Sequence, residues 1–246
     1  MRYLILSDLH SNWEALEAVL RDAEGAYDQA LCCGDLVGYG ADPNRVTEWV
    51  RGHCATVVRG NHDRACTGLE DLEWFNPVAR QAAVWTLQRL SPENAAYVRG
   101  LPHGPVFVDG IQLLHGSPTD EDEYVVRPED AAGAFAYLES HLAFFGHSHI
   151  QGGFLWNHSR VETIPPVSIR GACSVMDIEP DTGYLLNPGS VGQPRDGDPR
   201  AAYMLYDSGA SMARYRRVPY DVEKAQRKIR DAGLPPFLAD RLAAGR

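Results

Sequence analysis

Three short apolar runs, Tyr3-Leu4-Ile5-Leu6, Ala30-Leu31-Cys32-Cys33 and Ala55-Thr56-Val57-Val58, open this chain with helical spacing between them. Runs of this length without polar alternation read as strands buried on both faces. After the first, Ser11 to Glu14 forms an S-x-x-E capping box, and Trp13, Leu16, Val19, Leu20 and Ala23 follow at the helix period. After the second, Asp42-Pro43 supplies a cap and a first-turn proline, with Val46 and Val50 on the apolar face. Strand, helix, strand, helix, strand predicts parallel strands covered by helices.

Two further helix starts stand at Asn76-Pro77 and Ser91-Pro92. The second half is richer in strands: Val106–Val108, Ile111–Leu114, Leu142–Phe145, Gly152–Trp156, Gly183–Leu186, Ala201–Tyr206 and Ala213–Arg217, with a hairpin turn at Asp207-Ser208-Gly209. Helical pattern returns at Asp221–Ala232, ended by Gly233, and a short helix follows Pro235-Pro236. No repeat or low-complexity linker divides the chain. It reads as one α/β domain over residues 1–246 with a helical extension from about 219 onward.

The 246 residues are 44% hydrophobic, enough for a core without disulfides. The five cysteines are odd in number and contain no C-x-x-C pair, so reduced thiols in a cytoplasm are expected. The N-terminus meets Asp8 and His10 where a signal peptide stays apolar, and no apolar run is long enough to span a membrane. A net charge of -10 argues against general nucleic-acid or membrane affinity, although bound cations can invert a local field.

Five blocks gather metal-ligating side chains, each behind an apolar run: Asp8-Leu9-His10, Gly34-Asp35, Gly60-Asn61-His62-Asp63, His115-Gly116 and Gly146-His147-Ser148-His149. Carboxyl ends of parallel strands face a common crevice, so the five can converge. Asp8 and His10, and likewise His147 and His149, are expected to alternate along extended backbone and project on one side. Gly34 lets the chain turn and offer Asp35. Mixed nitrogen and oxygen donors without thiolate suit manganese, iron, zinc, nickel or cobalt, and argue against a structural zinc site. Two divalent cations, two aspartates and a shared hydroxide leave a small positive remainder that attracts a phosphate ester.

D-x-H, G-D, G-N-H-D, H-G and G-H-S-H, in this order, resemble the calcineurin-like metallophosphoesterase superfamily. Gly34 to Gly40, Asn187 to Arg195 and Val218-Pro219-Tyr220-Asp221 resemble a bacterial and archaeal branch of it over essentially the whole chain. The resemblance implies a four-layer α-β-β-α sandwich of two mixed sheets flanked by helices. It implies one metal on Asp8, His10 and His149, a second on Asn61, His115 and His147, and Asp35 between them. It places His62 by the phosphate, with Asp63 orienting or charging it. The implied activity is dinuclear hydrolysis of a small phosphodiester or monoester, with a water activated by the metals attacking phosphorus. His62, if protonated, then stabilises the developing charge or protonates the leaving oxygen.

Other readings stand beside these. Protein serine/threonine phosphatases and dinucleoside polyphosphate hydrolases typically carry G-D-x-V-D-R-G at the second block. Here Gly34-Asp35-Leu36-Val37-Gly38-Tyr39-Gly40 lacks that arginine, for which Arg59 or Arg64 is a candidate substitute. A binding scaffold on the same fold is the non-enzymatic alternative. Asn12, Tyr39 and Arg195 are candidate substrate contacts, and Asn187 to Arg195 is either a functional loop or a turn. Trp74-Phe75-Asn76 is either an apolar wall or a core cap, and Thr119 to Glu123 reads as a solvated acidic run.

Overall fold

In the computed structural model, which describes residues 1–167 and 171–246 and leaves the Trp74 side chain outside the description, the three opening runs form β1 (Arg2–Leu6), β2 (Gln29–Cys32) and β3 (Cys54–Val57). They pair in parallel, with Tyr3 opposite Gln29 and Leu6 opposite Cys32. Along β1 the side chains alternate between two apolar environments. Leu4 and Leu6 face helices α1 (Trp13–Asp22), α2 (Pro43–His53) and α5 (Pro92–Arg99), while Tyr3 and Ile5 face a second sheet. Burial on both faces is why the run carries no polar alternation.

The first sheet continues with β11 (Ala201–Asp207), β12 (Met212–Val218) and β9 (Cys173–Asp177), in the order β3-β2-β1-β11-β12-β9. The second sheet runs β4 (Val106–Val108), β5 (Ile111–Leu113), β6 (Leu142–Phe144), β10 (Gly183–Asn187), β7 (Gly152–Trp156) and β8 (Val161–Ile164). Both sheets are mixed: β5, β6 and β10 run parallel, and their neighbours run antiparallel. Leu31, Leu113, Phe144, Leu186, Met204 and Tyr206 fill the space between them. Phe145 and Leu185 turn the other way, onto α6 (Pro128–Phe135). The result is the α-β-β-α sandwich of four layers.

Two strands and two helices were not expected. Strand β9 is an exposed edge without an apolar run, and β8 is only half-buried. Helix α6 is short and contains Gly133, and α3 (Asn61–Ala65) is a single turn opened by the G-N-H-D block itself. The cap of α1 also differs: Asn12, not Ser11, accepts the Ala15 N–H at 3.1 Å. Glu14 is thereby released to pair with Lys228 at 2.7 Å, on α7 (Val222–Asp231). Asp42 stands before α2 without a capping bond and reaches the same Lys228 at 2.7 Å.

These ion pairs fasten α7 to the first sheet's helices, and α8 (Pro236–Ala244) packs beside it. Their apolar faces meet α4 (Pro77–Arg89) and Tyr39 in a third cluster, so the helical extension wraps the side on which the β1 and β2 ends open. Among the described residues no helix is long and apolar enough to cross a membrane.

Inter-sheet packing should dominate stability. Phe144→Ala, inside that layer, is expected to lower the unfolding free energy by about 3–5 kcal/mol. Val175→Ala, on exposed β9, should change it by less than about 0.5 kcal/mol in urea titrations of both variants.

Candidate metal centre

Asp8 follows β1, Asp35 follows β2, Asn61 follows β3, His115 follows β5, and His147 and His149 follow β6. Every one of these strands ends at the same edge of the sandwich, so side chains distant in sequence come together. Asp8, His10, Asp35 and His149 are buried, and one ligand atom of each lies within 4.8 Å of the others. Asn61 Oδ1 and His115 Nε2 are 3.1 Å apart, and the His115 and His147 rings are 5.0 Å apart. Asp35 joins the two groups: its Oδ2 is 3.5 Å from His10 Nε2 and 3.4 Å from His115 Nε2.

The backbone carrying these residues is not extended. Asp8, His10, Asp35, His147 and His149 have φ of 52°, 44°, 54°, 64° and 58°. The expected alternation along a strand is therefore wrong, because each of these five residues sits in a left-handed turn beyond its strand. Such a conformation costs of order 1 kcal/mol for an L-residue and needs support from its surroundings. Cross-bonds between turns provide it. Asp8 N donates to Gly34 O, His10 N to Asp35 O, and His147 N to Asp8 Oδ1, at 3.0, 3.0 and 3.2 Å. Gly60 packs so closely that a β-carbon there would fall on Asp35 Oδ1, so the third block admits no side chain at that position.

Imidazole orientation fixes which nitrogen faces inward. His10, His115 and His149 donate Nδ1–H to the carbonyls of Val37, Cys33 and Gln193, at 3.0, 2.8 and 2.6 Å. A carbonyl can only accept, so in the neutral rings Nε2 presents a lone pair to the centre. His147 is reversed, with Nε2–H on Asp122 O at 3.0 Å, which leaves Nδ1 as its ligand atom. His10 Nε2 and His149 Nε2 then oppose lone pair to lone pair at 3.1 Å. Asp8 Oδ2 and Asp35 Oδ2 are buried with no hydrogen-bond partner. Unpartnered buried carboxylate oxygens and opposed lone pairs are unfavourable alone and become favourable around a cation. The donor set thus fits divalent metal ions.

Electrostatics agree. Burial, reinforced by the charge of Asp35, pushes Asp8 up to about 7. Burial also opposes charge on Asp35, but the neighbouring His115 outweighs it and holds that carboxyl well below its usual range. His115 resists burial through Asp35 and rises to about 10. Burial keeps His10 and His149 well below the ordinary imidazole value and lowers His147 to about 3. Asp35 thus draws positive charge to itself on His115, while His10, His147 and His149 stay neutral and able to ligate.

Several expected roles change. Asp63 does not orient His62: its Oδ1 accepts Leu36 N and Val37 N at 2.8 and 3.2 Å, and its Oδ2 accepts Gly60 N at 3.0 Å. It clamps the turn behind Asp35 to the third block. Asn12 has no free group for substrate, since its Oδ1 caps α1 and its Nδ2 donates to Gly192 O at 2.8 Å. Arg59 and Arg64 are held by Glu121 at 3.0 and 2.5 Å and do not substitute for a phosphate-gripping arginine. Thr119, Asp120, Asp122 and Glu123 are exposed, as a solvated run would be, but Glu121 among them is buried. The segment presents the Asp122 carbonyl to His147, and the Tyr124 ring lies tilted against that imidazole with centroids 3.9 Å apart.

His62 lies beside the ligands. Its ring is 5.0 Å from His10, 4.4 Å from Tyr39 and 5.6 Å from Phe75, and burial lowers it to about 4. The ring is therefore neutral near pH 7. Phe75 belongs to the wall of the site, Asn76 caps α4, and the Trp74 side chain lies outside the described residues. The segment Asn187 to Arg195 is a brace. Ser190 Oγ and Gly192 N both donate to Asp8 O, at 2.8 and 2.9 Å, and Asn187 Nδ2 donates to Gly146 O at 2.9 Å. Arg195, at its end, holds its guanidinium 5.8 Å from the Tyr39 ring centre. Sequence reasoning missed Glu121, Tyr124 and Arg241. The first two follow His115 closely in the chain, which was the available signal, whereas Arg241 approaches only through helix packing.

Comparison with known proteins adds an independent line. Residues 1–210 match the model of the calcineurin-like phosphoesterase superfamily domain. An uncharacterised protein of Methanocaldococcus jannaschii, MJ0912, is 36% identical over 257 aligned positions, covering 98% of this chain and 97% of that one. The crystal structure of a metallophosphoesterase from Sphaerobacter thermophilus superposes with a TM-score of 0.88 at 40% identity, covering 100% of this chain and 99% of that one. Hypothetical protein PH1004 of Pyrococcus horikoshii OT3 shares the fold, with a TM-score of 0.80, 18% identity and coverage of 100% and 98%.

If Asp63 is a clamp, Asp63→Asn places an amide donor against backbone N–H groups. The substitution should destabilise the protein by about 1–3 kcal/mol. It should also reduce bound metal, measured by thermal unfolding and elemental analysis. Unchanged stability with lost activity would instead return Asp63 to a direct role.

Proposed function

This chain belongs to the calcineurin-like phosphoesterase superfamily, and on that premise we propose that it hydrolyses small phosphate esters with the help of two divalent cations. The observation that carries the reading is Asp35 Oδ2, which is buried, unpartnered and nearly equidistant from His10 and His115. Asp8, His10 and His149 would hold one ion, Asn61, His115 and His147 the other, and Asp35 would serve both. Ions in these places would stabilise charge on phosphoryl oxygens and acidify a shared water.

The chain's own groups have distinct tasks in this proposal. Asp8 and Asp35 set the charge of the centre. Nδ1–H bonds to backbone carbonyls keep three imidazoles aimed inward and prevent them from rotating away. His62, neutral in the resting site, gains proton affinity when an anionic ester arrives beside it. It then donates a hydrogen bond or a proton to the ester's oxygens. Tyr39 and Phe75 exclude water on the His62 side, and Arg195 is a substrate contact at the rim.

Metal content and turnover test this assignment together. Stripped protein should gain thermal stability on titration with manganese, saturating at two ions per chain, since a ligand of the folded state stabilises by mass action. Asp35→Asn should lose both ions. His62→Ala should keep them while turnover of p-nitrophenyl phosphate and bis(p-nitrophenyl) phosphate falls by about 10²–10⁴-fold. One tightly held ion in wild type would overturn the dinuclear arrangement. No hydrolysis of either ester by fully loaded protein would overturn the enzymatic reading.

A further inference from the structure

The C-terminal helix brings a second arginine to the mouth of the centre. Gly197 N donates to Gly245 O at 2.9 Å, which ties the end of α8 to the loop that follows Arg195. Leu238 and Leu242 of α8 share a narrow crevice with His10, Tyr39 and Gln193. Arg241, on the same helix, lies close enough to Arg195, Tyr39 and Tyr124 for each of them to act on its charge. Burial and, after it, the neighbouring Arg195 bring Arg241 down to about 10, the opposite direction to the carboxylate-paired arginines Arg64 and Arg200.

Neither guanidinium has an Asp or Glu partner among the described residues. Arg195 donates one terminal nitrogen to Gln193 Oε1 at 3.0 Å, and its Nε is buried without a partner. Arg241 donates Nε to Arg246 O, and its guanidinium carbon lies 5.4 Å from the Phe237 ring centre. In an acidic chain, most of whose arginines are ion-paired, two adjoining arginines without an Asp or Glu partner concentrate positive charge beside Tyr39 and the metal ligands.

We propose that Arg195 and Arg241 form an anion subsite at the mouth of the centre, which takes a second phosphate carried next to the one that reacts. The proposal rests on the phosphoesterase reading and narrows it to esters or anhydrides bearing adjacent phosphates. Planar guanidinium forks match the oxygen pairs of such a group, and the Tyr39 and Tyr124 rings border the opening.

Calorimetric titration of manganese-loaded protein with inorganic pyrophosphate and with orthophosphate tests this directly. Wild type should prefer pyrophosphate by about tenfold to a hundredfold, the worth of one or two charge-assisted hydrogen bonds. Arg195→Leu and Arg241→Leu should each cut that preference about tenfold. Arg160→Leu, which removes the same charge from an exposed remote position, should leave it intact. If Arg241→Leu does not fold, Arg241→Gln decides in its place. A preference that survives in both site variants, or that falls equally in Arg160→Leu, overturns the subsite. Assays of the same proteins on p-nitrophenyl phosphate separate the two failures. No turnover by wild type counts against the phosphoesterase reading, and turnover with an unaltered pyrophosphate preference counts against the subsite alone.

Discussion

Asp35 carries its charge into the interior with one carboxylate oxygen bonded to the protein and the other left to its neighbours. Oδ1 accepts His62 N at 2.8 Å, while Oδ2 stands between two imidazoles. A carboxylate removed from water is tolerated only where opposite charge is supplied nearby. Much of the surrounding structure serves that condition. Asp63 clamps the Asp35 turn, Gly60 gives it room, and the strand ends bring imidazoles from both sheets to it. Divalent cations bound here would supply a counter-charge that also uses the free oxygen of Asp8.

Because the ligand atoms come from both sheets, the centre depends on how the sheets sit against each other. Asp8, Asp35 and Asn61 follow strands of the first sheet, and His115, His147 and His149 follow strands of the second. The apolar layer between them, including Leu31, Leu113 and Phe144, therefore keeps the halves in register. The brace from Asn187 to Gly192 repeats this coupling at the rim, holding Asp8 of one sheet and Gly146 of the other. Core packing and ligand geometry are one constraint here.

The fold was largely legible, because buried parallel strands leave uninterrupted apolar runs and their ends carried the ligand blocks. Strands β8 and β9 were not, since an exposed edge strand needs no apolar face. The side chains that gather at the centre could be named from type and order, but not the left-handed backbone of five of them, which cross-bonds from distant turns hold in place. The same limit hid Asp63. A carboxylate beside a histidine in sequence suggests a catalytic pair, yet its three hydrogen bonds run to backbone that only the fold brings near. Glu121, read as solvated, is buried because Arg59 and Arg64 converge on it from elsewhere in the chain.

The positive φ of the ligand residues also restricts how this centre can change its preferred ion. Asp and Asn enter that region more readily than other side chains with a β-carbon, whereas β-branched residues are excluded. Replacing His10, His147 or His149 by Asp or Asn would keep the backbone and convert nitrogen donors to oxygen donors. That favours harder cations such as magnesium. Threonine or valine at the same positions would disturb the turn before altering its chemistry. The turns thus leave a narrow path, one residue at a time, between a nitrogen-rich donor set and an oxygen-rich one.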